Sequence, residues 1–113
     1  QTMATYRPDI ERLAAQLPAD DPAILLLHEP DFADIVADIG RFDLQLSGHS
    51  HGGQVQIPLR GAPQLPPMGR KYYDGLYRVG QMWQYTSRGV GMVHPQVRFN
   101  CRPDISLLEL RQG

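Results

Sequence analysis

His49 and His51, two residues apart in Gly48-His49-Ser50-His51-Gly52-Gly53-Gln54, are the side chains of this sequence whose type and spacing most suit chemistry. In an extended backbone such residues project to the same side, so the pattern predicts two imidazoles presented together. Gly48, Gly52 and Gly53 frame them with backbone that tolerates positive φ. Convergent imidazoles on a glycine-framed turn suit a divalent transition metal. His28, directly after the apolar run 23–27, offers a third. His94, in Val93-His94-Pro95, has no such setting and reads as structural or exposed.

The elements that must position these rings follow from periodicity. Ile10, Leu13, Ala14 and Leu17 form one apolar stripe and predict a helix over 7–17, with Pro8 in its first turn and Asp9 and Glu11 near its positive end. Residues 23–27 are apolar throughout, which predicts a strand buried on both faces. Asp31 is expected to cap a second helix ending at Ile39, where Gly40 takes the C′ position. Residues 42–47 alternate, which predicts a strand with one buried face. Strand, helix, strand with short links reads as a right-handed crossover between parallel strands. His28 and His49 then follow the carboxyl ends of two strands, where open α/β sheets bind ligands. If those strands are neighbours, roughly 5 Å apart, all three imidazoles are expected to line one crevice.

Beyond Gly48 the pattern turns to short strands. They are expected at 54–58, 76–79, 82–87, 97–99 and 105–110, with a Gly80-Gln81 turn and a Pro- and Gly-rich loop over 59–70. Arg88, in a glycine-framed turn, is a candidate for bidentate phosphate binding. Gly52, Gly53 and Gln54 could offer N–H groups to an anion. Tyr72, Tyr73, Tyr77, Trp83 and Tyr85 read as packing residues, and Cys101 as a buried thiol. The fold class is therefore α/β: two helices, parallel strands, then antiparallel strands.

The 113 residues fit one domain at most, and a net charge of −1 gives no electrostatic case for nucleic acid. The single cysteine excludes an internal disulfide or a cysteine-rich zinc module. The chain opens on Gln1-Thr2-Met3, which predicts a portion of something longer.

The sequence resembles the calcineurin-like metallophosphoesterases. Gly48-His49-Ser50-His51 matches the Gly-His-x-His block that closes their signature, and Leu27-His28-Glu29-Pro30-Asp31 is similar to the isolated-histidine block before it. The extension to Gln54, with Thr86-Ser87-Arg88-Gly89-Val90-Gly91 and the stretch 98–105, resembles a bacterial branch of phosphohydrolases, some of them membrane-associated. The resemblance implies a binuclear hydrolase of phosphate mono- or diesters that uses a metal-activated water. In it His28 and His49 bind one ion and His51 the other, the ions being manganese, iron or zinc. It implies a helix-flanked β-sandwich, of which residues 1–113 are the C-terminal half of a single domain. The Asp-x-His, Gly-Asp-x-x-Asp and Gly-Asn-His blocks are absent, and the only asparagine is Asn100. The bridging aspartate and the general acid are therefore expected upstream of residue 1. Alone, the chain is expected to hold at most one ion, weakly, to lack activity, and to dimerise or exchange strands through surface left uncovered. Its localisation is expected to be cytoplasmic, or membrane-associated through an upstream anchor. The alternative reading is a non-catalytic module that uses the three histidines for a structural or regulatory ion.

Overall fold

The computed structural model describes residues 3–54, 56, 59, 61–62, 64–89 and 98–111. Helix α1 is Met3–Ala15, strand β1 Ile24–Leu26, helix α2 Ala33–Ile39, strand β2 Leu44–Ser47, strand β3 Gly75–Val79 and strand β4 Met82–Thr86. Two 3-10 turns, Pro30–Phe32 and His51–Gly53, lie before α2 and after β2. The sheet order is β1-β2-β4-β3. β2 runs parallel to both β1 and β4, while β3 and β4 form an antiparallel hairpin.

The predicted parallel pairing of the first two strands is present, with Leu25 beside Gln45 and Leu26 beside Leu46. Asp43 organises the opposite end. It accepts from the Ala23 amide at 2.9 Å through its carboxylate, and its own amide donates to the Ala23 carbonyl at 2.9 Å. Its carbonyl accepts from Trp83 at 3.0 Å, so one residue aligns β1, β2 and β4. The Gly80-Gln81 turn is also as expected, with Gly80 at φ +60°.

Several expectations are corrected. Helix α1 begins four residues earlier than predicted and places Pro8 in its interior rather than its first turn. Proline there costs one helical hydrogen bond. The helix tolerates it because Ile10 is buried and Tyr6 packs its ring on Phe32 at 4.1 Å between centroids. Asp9 and Glu11 therefore lie mid-helix, where they pair with Arg12 and Arg7 instead of meeting the dipole. Leu13 points away from the core. Asp31 does not cap α2; it lies inside the Pro30–Phe32 turn, and the cap position of α2 is Phe32, without a side-chain bond. Gly40 does end α2, at φ +77°.

The two strand-face readings also change. β1 is buried on one face only: Leu25 is 6% exposed, but Leu26 is 76% exposed. In β2 the fully buried position is the polar Gln45, opposite Gln84, which is buried as completely. The helices cover this face, and Ile10, Leu25, Ala33, Val36, Val79 and Met82 form the core there. Each donates along its own strand, Gln45 to Ser47 Oγ at 3.0 Å and Gln84 to Thr86 Oγ1 at 2.7 Å, while both Oε1 atoms are buried without a partner among the described residues. The alternation of β2 predicts one buried face, but Leu44 on the opposite face is buried as well. The other face carries Ile24, Leu26, Leu44, Leu46, Trp83, Tyr85 and Leu76 in register. Ile24, Leu26, Leu76 and Trp83 are exposed on it.

The strand expected at 105–110 is absent, and Ile105, Leu107 and Leu110 are exposed. A strand requires a pairing edge, and among the described residues none pairs with this segment. Of the strands expected at 54–58 and 97–99, residues 55, 57, 58 and 97 lie outside the described residues. What is described is a short backbone bridge, Gln56 to Phe99 at 2.8 Å and Phe99 to Gln54 at 2.7 Å. His94, Val90 and Gly91 also lie outside the described residues. Among the described residues no helix is long and apolar enough to cross a membrane.

Candidate metal centre

The site forms where β1 and β2 run out together. Past Leu26 the ladder continues for one more step on each side, Leu27 to Leu46 and Gly48 to His28, both at 3.1 Å. His28 and Gly48 are thereby paired, and His49 comes next. The consequence is close contact between the rings: His28 Nε2 lies 3.0 Å from His49 Nδ1, with centroids 4.6 Å apart and planes at 60°. The sequence inference about neighbouring strand tips therefore holds for these two residues. A cleft of about 320 Å³ lies beside them, lined by Leu26, Leu27, His28, Leu46, Ser47 and Gly48.

His51 does not follow the same logic. The expectation that 49 and 51 project together assumed an extended chain, but His49 and His51 both have left-handed backbone, φ +68° and +51°. Ser50 between them is helical, and its amide returns to the Gly48 carbonyl at 2.7 Å. The backbone turns twice in three residues, so side-chain alternation is lost. Among the described residues no three His, Cys, Asp or Glu side chains gather as a metal cage. The structure brings His28 and His49 together and leaves His51 outside that pair.

Could the pair accept a divalent ion? The donor chemistry fits. Two imidazole nitrogens face each other at a distance that a shared proton spans, and one ion can take the place of that proton. His49 also has the outer partner that metal-binding histidines usually have: its Nε2 lies 2.9 Å from the Pro67 carbonyl. A carbonyl only accepts, so Nε2 carries the hydrogen and Nδ1 presents its lone pair to His28. Two nitrogens supply half of a four-coordinate shell. Sequence reading missed Pro67 because a backbone carbonyl leaves no signature in residue type.

The turn beneath the pair is tightly built. Gly52 is at φ +61°, and a Cβ there would lie 2.6 Å from Cys101 Sγ and 2.8 Å from Arg88 Cγ. Its N–H donates to Ser50 Oγ at 3.2 Å, the Gly53 N–H to the Ser50 carbonyl at 2.7 Å, and the Gln54 N–H to the His51 carbonyl at 3.0 Å. These amides hold the turn itself, which removes the expectation that they serve an anion. Cys101 is buried, with Sγ 3.4 Å from the Gly52 carbonyl.

Arg88 lies behind this turn, away from the histidine pair in its bonding. Its Nε donates to Asp74 at 2.8 Å, and Asp74 also accepts from Gln56 at 2.9 Å. The hydrogen bond to Asp74 raises the guanidinium pKa further above its ordinary value. Of the expected aromatic packing, Tyr72 and Tyr77 meet edge to face at 5.1 Å, whereas Trp83 is exposed, with Arg78 over its ring at 4.7 Å.

No family model matches the chain, and no solved structure does. Curated proteins do. The metallophosphoesterase YkuE of Bacillus subtilis is 41% identical over 104 residues, which is 92% of this chain and 36% of YkuE. The phosphodiesterase YaeI of Escherichia coli is 42% identical over 92 residues, covering 81% of this chain and 33% of YaeI. A metallophosphoesterase of Campylobacter jejuni is 36% identical over 107 residues, 94% of this chain and 27% of that protein. The chain thus spans about a third of the length of the relatives it matches. With its histidines meeting at the ends of two parallel strands, and with likeness of this depth over most of its length, the chain belongs to the metallophosphoesterase superfamily.

Proposed function

We propose that this chain is the C-terminal, histidine-bearing share of a binuclear metal-dependent phosphoesterase that hydrolyses phosphate mono- or diesters. The observation that carries the reading is the 3.0 Å approach of His28 Nε2 to His49 Nδ1 at the carboxyl ends of adjacent parallel strands. His28 and His49 hold one divalent ion and His51 serves a second, with manganese, iron or zinc as the metal. Such ions lower the pKa of water to near neutrality and offset charge on phosphoryl oxygens. The chain's own part is to fix the ligands: the strand ladder sets His28 against His49, and Pro67 orients His49. The carboxylate ligands and the general acid belong to the remainder of the site, outside this chain.

That division also accounts for the bare sheet face. Leu26, Leu76 and Trp83 are exposed where a second layer of a sandwich would pack. On its own the 113-residue chain is expected to self-associate through this face. Sedimentation velocity at rising concentration should show oligomers, and Leu26→Lys with Trp83→Lys should shift them toward monomer. A clean wild-type monomer across the range would remove the face from the account.

The decisive assay adds manganese to the chain alone and to a protein that includes the upstream blocks, with an aryl phosphodiester as substrate. Turnover is expected only in the second case. Turnover by the chain alone, abolished by His49→Ala, would sink the division of the site. In the complete enzyme Arg88 is assigned to the substrate phosphate, oriented by Asp74. Arg88→Ala should raise KM about tenfold, the loss of roughly 1.4 kcal/mol of binding, and an unchanged KM would take Arg88 out of the site. The rival reading is a non-catalytic module in which the three histidines hold a structural ion; one tightly held ion that raises the melting temperature, with no turnover by the longer protein, would favour it.

A further inference from the structure

The segment from Pro66 to Tyr73 packs as a strap against His49 and Ser50. On one side it touches the site: Pro67 offers its carbonyl to His49 Nε2 at 2.9 Å, and the Tyr73 carbonyl accepts from Ser50 Oγ at 2.5 Å. Gly69 is buried against the His49 ring, where a Cβ would come within 3.3 Å of Cδ2. On the other side Asp34 holds the Lys71 ammonium at 2.7 Å and the Tyr72 hydroxyl at 2.6 Å. Thr86 Oγ1 donates to the Tyr72 carbonyl at 2.6 Å, and one side chain, Asp31, gathers successive backbone amides of the strap. The Asp31 carboxylate accepts from the Arg70 amide at 2.8 Å and from the Lys71 and Tyr72 amides at 3.0 Å. The Asp31 amide donates to the Met68 carbonyl at 2.9 Å.

We infer that Asp31 is a positioning residue for the metal pair, whose grip on the strap holds the Pro67 carbonyl against His49 and so keeps His49 Nδ1 turned to His28. Asp31 is three residues beyond His28, on the same strand-to-helix turn. That single turn therefore acts on both nitrogens of the His49 ring, directly through His28 and at a distance through the strap. The carboxylate is nearly buried, and its bonds go to three successive amides that have no place in helix or sheet. A charged acceptor makes each of these bonds stronger than a neutral one would. An amide side chain of the same shape cannot reproduce the arrangement, because its NH₂ would face N–H donors.

The inference rests on the reading of His28 and His49 as metal ligands, and two measurements keep the two apart. The first is made without metal on the 113-residue chain. Long-range ¹⁵N spectra of the imidazoles should show His49 protonated at Nε2, and the amides of Arg70, Lys71 and Tyr72 should exchange slowly with solvent. Protonation at Nδ1, or fast exchange of those three amides, would overturn the clamp even if Asp31→Asn proved too unstable to study. The second is a Co²⁺ titration followed by visible absorption. Asp31→Asn should bind 10- to 100-fold more weakly than wild type, the effect typical of losing an outer partner, with a mixed His49 tautomer in its metal-free spectrum. Equal affinity and an unchanged tautomer in a folded Asp31→Asn would refute the role. Absence of Co²⁺ binding by wild type would instead count against the metal pair, leaving the tautomer to decide the clamp.

Discussion

Alanine in place of His49 is expected to weaken Co²⁺ or Mn²⁺ binding at least a hundredfold, about 2.7 kcal/mol or more. That exceeds the loss from an outer partner because a donor nitrogen itself disappears, and His28 alone supplies no chelate. The effect on folding should be smaller and of separate origin. His49 has φ +68°, a conformation that costs a residue with a Cβ roughly 1–2 kcal/mol. His49 offsets this with its bonds to His28 and Pro67, and alanine has neither. Glycine adopts the same backbone freely. His49→Gly and His49→Ala should therefore lose metal binding alike, while only His49→Ala melts at a clearly lower temperature. Calorimetric titration beside thermal unfolding separates the two quantities. Retained metal affinity in the glycine variant would remove His49 from the centre, whatever the alanine variant does.

The same backbone explains how far the sequence could be read. The meeting of His28 with His49 was legible because it depends on few conditions. An apolar run and an alternating run joined by a short helix imply adjacent parallel strands, and both histidines stand just past their ends. The placing of His51 depends on torsion angles within three residues, and two non-glycine positions there have positive φ. Residue type gives no warning of that, so an extended reading misplaced it. Asp31 was misread for a related reason. An aspartate ahead of a helix resembles a cap, and only the tertiary return of residues 68–72, about forty positions later, gives it another use. In β2 the alternation predicts one buried face, whereas Leu44 and Gln45, on opposite faces, are both buried. Gln45 and Gln84 occupy the helix-covered face, donating to Ser47 and Thr86, while Leu44 is buried and Leu46 half-buried on the opposite face.

Phe32→Ala is expected to be the most damaging single change to the fold. Phe32 is wholly buried in the turn between His28 and α2, with the Tyr6 ring from α1 tilted 36° against it. Truncation to alanine removes apolar contact on both sides and leaves a cavity, at a cost of about 3–5 kcal/mol. Against the 5–15 kcal/mol or so that holds a domain together, little would remain, and the melting temperature should fall by more than about 10 °C. Phe32→Leu keeps most of the volume and should cost less than about 1.5 kcal/mol. The pair of variants also tests how the core supports the site. Phe32 directly follows Asp31, so a loosened turn should release the strap before the sheet separates. In Phe32→Ala the Arg70, Lys71 and Tyr72 amides should lose protection from exchange while those of β2 and β4 keep it, and Phe32→Leu should protect both sets. Protection lost everywhere at once would mean that the strap and sheet unfold as one unit, and that Phe32 supports the site only by holding the whole domain folded.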